Sequence, residues 1–169
     1  MDILEYIGRQ MAGLRRSVNN IMKDMTPELF NGATPGTANA ISATFVHFLH
    51  SEDNFIHKII QGKPGVWESG SWSEKTGIQK VPGIGEDWSS YKHRQIAIQP
   101  LLDYQAAVWA ATDAYLAALT PLELDRKVQF AGGDRTVADM LLLSVSQALS
   151  HAGEIAALKG VLGAKGLPV

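Results

Sequence analysis

The sequence predicts an all-α fold, a four-helix bundle formed as one domain over residues 1–169. Three observations predict it. In four long stretches, apolar residues recur at steps of three and four. Proline, glycine and threonine punctuate the chain between those stretches. Only VQFAGGDRT, residues 128–136, reads as extended chain.

The first helix is expected over about 3–24, where Ile3, Leu4, Ile7, Met11, Leu14, Val18, Ile21 and Met22 fall on one face. MTPELF follows, with Thr26 as cap and Pro27 in the first turn of a short helical piece. The second helix is expected from about Thr37 to Gln61, with Ile41, Phe45, Phe48, Leu49, Phe55, Ile56, Ile59 and Ile60 as its apolar side. Gly62 and Pro64 end it. A long connection, roughly 62–97, lacks helical periodicity and carries Trp67, Trp72 and Trp88. So much aromatic surface favours packing back on the body, or walling a pocket, over disorder. The third helix spans about 98–119 and stops at Thr120-Pro121. A small hairpin or turn is expected around Gly132-Gly133. Thr136 with Asp139 resembles a capping box that opens the fourth helix, which runs to about Leu162 and stops at Gly163.

Composition narrows the chemistry. There is no cysteine, which excludes disulfides, thiolate nucleophiles, zinc ribbons and iron–sulfur clusters. Fifteen basic residues against 17 acidic ones leave a formal charge of −2, and no basic stripe stands out, so a nucleic-acid partner is not expected. The N-terminal stretch mixes charged and apolar residues, unlike a signal peptide, and the strongest apolar run, Met140–Leu143, is short for a bilayer. A cytoplasmic protein with no membrane partner is the expectation.

Five histidines carry the candidate chemistry: His47, His50, His57, His93 and His151. His47 and His50 are one turn apart and can reach one ion, although a lone His-x-x-His pattern is a weak signal. At 100° per residue, His47, His50 and His57 fall opposite the apolar face of the second helix. Glu52 falls near the middle of that face and needs a cation or a pocket. On the fourth helix, Gln147, His151 and Glu154 are spaced four and then three apart and lie close to one stripe. Periodicity alone reads the polar arc there as mostly solvated. The alternative is a metal site in a cleft at the edge of a face, where His47 and His151 meet.

MTPELF, the His47…Glu52 pair in HFLHSED, the QGKPGVWESGSW segment and the closing SHAGEIAALKGVLGAKGLP together resemble the DinB/YfiT-like superfamily over nearly the whole chain. That resemblance implies a four-helix bundle holding a divalent ion through one His of helix two and two positions, four apart, on helix four. Mapped here they are His47, Gln147 and His151. Glutamine stands where the family pattern has its first helix-four histidine, and its neutral carbonyl is a weaker ligand for zinc or nickel. Three outcomes stay open: a metal on His47 and His151 completed by Gln147 or water, a metal with His50 as third ligand, or an empty degenerate site. The resemblance further implies a low-molecular-weight thiol delivered to a small electrophile. Glu52 or Glu154 would then serve as general base or as the partner that orients an imidazole. It also implies a homodimer. The competing class is a metal-free bundle that binds a small molecule or acts as a scaffold.

Overall fold

The computed structural model describes residues 2–83 and 85–167. Four long helices dominate it. The first, α1 (Ile3–Met22), opens on Asp2, whose carboxylate accepts the Glu5 N–H at 2.8 Å, and buries Met11, Leu14, Val18, Ile21 and Met22. A single turn, α2 (Pro27–Phe30), follows under the Thr26 cap. The second long helix begins as α3 (Ile41–Asp53), four residues later than the sequence suggests. The Thr34 hydroxyl bonds the carbonyls of Ala38 and Asn39, and Gly36 takes a positive φ, so Thr37–Asn39 are held in a turn.

After Asp53 the same helix widens into a π-helix, Asn54–Ile60. Its wider turn breaks the 100° phase, and this corrects the expected solvated side of helix two. His57 turns inward and is buried, and Ser42, Ser51, Glu52 and Asp53 are buried as well. The helix is enclosed because α3 contacts two of the other three long helices, α6 (Ile98–Ala118) and α7 (Val137–Val161), and also α4 (Val66–Ser69).

The long connection is more regular than its composition suggests. It forms α4, then α5 (Trp72–Thr76), then one 3₁₀ turn at Ser89–Tyr91. Trp67 and Trp72 are buried against Tyr104 of α6, with ring centroids 5.0 and 5.4 Å away. Asp53 fixes this packing. Its carboxylate accepts the N–H groups of Val66 and Trp67, each at 2.7 Å, and so caps α4.

A 3₁₀ turn at Pro121–Asp125 leads into the hairpin of β1 (Lys127–Phe130) and β2 (Gly133–Thr136), paired antiparallel with Val128 opposite Arg135. Its turn is Ala131-Gly132, both at positive φ, one residue earlier than the glycine pair suggests. The Thr136–Asp139 capping box then starts α7, with both reciprocal bonds formed. Among the described residues, α7 alone has the length and mean hydropathy to cross a bilayer; here its inner side packs on α1 and α3.

Candidate functional site

α3 and α7 bring two imidazoles together. The His47 and His151 ring centroids lie 4.8 Å apart, with planes at 89°. The contact sits in a cavity of about 310 Å³. Thr44 and His47 of α3 line one side, and Gln147, His151 and Glu154 of α7 the other. The long connection closes it with Gly83, Gly85 and Trp88, whose indole packs edge-on to His47 at 5.1 Å.

The spacing on α7 determines the next layer. Residues 147, 151 and 154 stand one turn apart on one stripe, so both His151 nitrogens find neighbours on its own helix. Nδ1 donates to Glu154 Oε2 at 2.9 Å, and the Gln147 side-chain amide lies 2.7 Å from Nε2; with the proton on Nδ1, the amide NH2 is the end that donates there. Thr44 donates to the other Glu154 oxygen at 3.3 Å and ties that carboxylate back to α3. Glu154 therefore fixes the His151 ring through Nδ1 and leaves Nε2 as the atom facing the cavity. Turning the Gln147 side chain away frees that nitrogen as an electron-pair donor.

The electrostatics suit ligation. Burial pulls the His47 imidazole down to about 4, assisted by the nearby His151 and His50, so it is neutral with a free lone pair near pH 7. The hydrogen bond from His151 holds Glu154 below the usual glutamate value despite the opposing effect of burial, so it stays a carboxylate.

The other candidate residues lie elsewhere. His50 is not among the residues lining the cavity; its ring packs on Trp67 at 5.9 Å, on the α4 side of the helix. Glu52 faces α1, where Arg15 reaches it at 3.5 Å. Among the described residues, no three His, Asp or Glu side chains form a metal-binding group. A metal at His47 and His151 would have to be completed by the Gln147 amide or by water. Two imidazoles, one oriented by a carboxylate, and one amide oxygen make a donor set that fits a divalent ion with two strong ligands and one weak one. Sequence reasoning missed Asn39, Thr44 and the two loop glycines as lining residues. Thr44 carried a signal, since it precedes His47 by one turn.

The DinB superfamily pattern matches residues 10–155. The chain belongs to that superfamily. A crystal structure described as a conserved protein from Enterococcus faecalis superposes with a TM-score of 0.79 at 19% identity, covering 95% of this chain and 97% of that one. No curated protein matches the chain.

Proposed function

From superfamily membership and the meeting of His47 with His151, we propose that this protein is a divalent-metal-dependent enzyme acting on a small molecule in the α3–α7 cavity. The approach of the two rings across helices, at 4.8 Å, carries the reading. His47 and His151 are the strong ligands and Gln147 the weak one, while Glu154 orients His151. The bound ion supplies Lewis acidity, lowering the pKa of a thiol or water at its open positions. Trp88 walls the cavity from solvent, and Thr44 keeps Glu154 in place behind the imidazole. Resemblance to the superfamily suggests the nucleophile, a low-molecular-weight thiol used on a small electrophile; the chain itself has no cysteine.

Elemental analysis of untagged protein, with His47→Ala and His151→Ala alongside, tests this. About one zinc, nickel or manganese per chain, lost in both variants, is the expected result. Folded wild-type protein that takes up no metal on reconstitution would overturn the reading and leave a metal-free binding bundle.

A further inference from the structure

A second cavity, of about 670 Å³, lies where the π-helix meets α6 and shares no lining residue with the first. His57, Gln61, Lys63, Tyr115 and Arg126 give it polar walls, and Ala111, Ala114 and Ala118 give it a smooth apolar side. π-helical turns are often found at functional sites, and His57 sits in this one.

The hydrogen bonds here fix the state of His57. Lys63 Nζ donates to Gln61 Oε1 at 3.2 Å, and an ammonium can only donate. The other end of that amide, Nε2, must then be the group 3.0 Å from His57 Nδ1, so Nδ1 accepts. The His57 proton therefore resides on Nε2. That N–H is buried in a residue only 6% exposed, and it has no partner. The Tyr115 hydroxyl is buried and unpartnered too. The carboxylate on the same wall, Glu123, is taken by Arg126, whose Nη2 also donates to the Ile60 carbonyl at 2.7 Å. The wall thus holds two idle donors and an ammonium with one weak bond, and its acceptors, Gln61 Oε1 and Glu123, are engaged by Lys63 and Arg126. An idle buried donor is destabilising, and an acceptor would recover that cost.

We propose that this cavity binds a small organic carboxylate with a short aliphatic chain. Its oxygens accept from His57 Nε2–H and the Tyr115 hydroxyl, Lys63 is the counter-ion, and the alkyl part lies on the alanines. Neither donor atom has accessible surface, so a wall side chain must turn to admit the ligand.

Sodium butyrate is the probe, with sodium phosphate and butylammonium chloride at equal ionic strength as controls. Thermal unfolding and the imidazole ¹⁵N–¹H spectrum are the readouts. Butyrate is expected to raise Tm and shift the His57 Nε2 resonance, with neither control doing so. Lys63→Met is expected to lose most of the rise, and Tyr115→Phe part of it, each read against that variant's own Tm without butyrate. An equal rise with phosphate would mean a plain anion site and overturn the carboxylate assignment. No rise up to tens of millimolar butyrate, or an undiminished rise in Lys63→Met, would overturn the site and leave the idle donors to buried water. None of these outcomes depends on metal in the other cavity.

Discussion

Glu52 of α3 and Arg15 of α1 face each other at 3.5 Å inside the bundle, their side chains 2% and 13% exposed. Burial pushes the Glu52 carboxyl up, and the Arg15 charge pulls it back. Arg15 has other anchors: it pairs with Asp113, donates to the Trp109 carbonyl at 3.3 Å and stacks over the Trp109 ring. The two ends of the pair are therefore unequal. Arg15→Met strands a buried carboxylate and should cost about 3–5 kcal/mol. Glu52→Gln leaves Arg15 with Asp113 and Trp109 and should cost about 1–2 kcal/mol. Urea unfolding of both variants measures the difference. Glu52→Gln should also leave metal content unchanged; loss of metal would place Glu52 in the cavity chemistry after all.

Tyr104 and Asp53 tie the tryptophan-rich connection to the bundle. The Tyr104 hydroxyl donates to Asp53 Oδ2 at 2.7 Å, on the carboxylate that caps α4. At Gly65, just before α4, a Cβ would come within 3.1 Å of both Asp53 oxygens, so glycine lets the carboxylate approach. Tyr104→Phe removes a bond to a charged group and should cost about 1.5–3 kcal/mol. It should also red-shift Trp67 emission and open residues 62–97 to proteolysis. An unchanged emission spectrum would mean that the aromatic contacts alone hold this segment.

Acid stability follows from the buried histidines. Burial is the leading cause of the lowered pKa at His47, His50 and His57. The unfolded chain binds these protons near 6.5, whereas folded His47 resists until about 4. Their contribution is complete above the unfolded value and drains away as pH falls through this interval. The urea midpoint should therefore drop steadily between pH 7 and about 4. Glu52, raised in the folded state, works in the opposite sense, because the folded protein takes up its proton first as pH falls. Glu52→Gln should consequently lose more stability over the same interval than wild type. A flat midpoint across it would contradict the buried state of these rings.

The fold was legible where local chemistry decides it. The α7 capping box and the Thr120-Pro121 break stand at their expected residues because each depends on a few neighbours. The π-turn was not legible. Nothing local in NFIHKII announces the wider winding, and the phase error it introduces carried His57 to the wrong side. Helix two also looked half solvated because His47, His50 and His57 were counted as a water-facing side. In the fold His47 meets His151 of α7 and His50 packs on Trp67, partners distant in sequence, while Glu52, read as needing a cation, meets Arg15. For the α3–α7 cavity, the stripe of Gln147, His151 and Glu154 was readable from spacing alone. The division of labour between His47 and His50 was not, since it depends on which side of α3 faces α7 and which faces Trp67.

Gln147 is the residue on which the metal reading turns. Its side-chain amide lies 2.7 Å from His151 Nε2, so the group assigned to the ion also occupies the lone pair that the ion needs. Replacing it with histidine changes two things together. It removes an amide donor that occupies His151 Nε2, and it offers a third imidazole one turn away on the same stripe. Gln147→His should therefore bind zinc or nickel more tightly than wild type, with His47→Ala in that background returning affinity toward the wild-type value. Glu154→Ala, which leaves His151 without its Nδ1 acceptor, should weaken binding by about 10–100-fold. Competition titration against a chromophoric chelator gives all three values. If Gln147→His binds no metal while remaining folded, His47 and His151 are not aimed at a common point, and their 4.8 Å contact is packing between α3 and α7 rather than half of a coordination sphere.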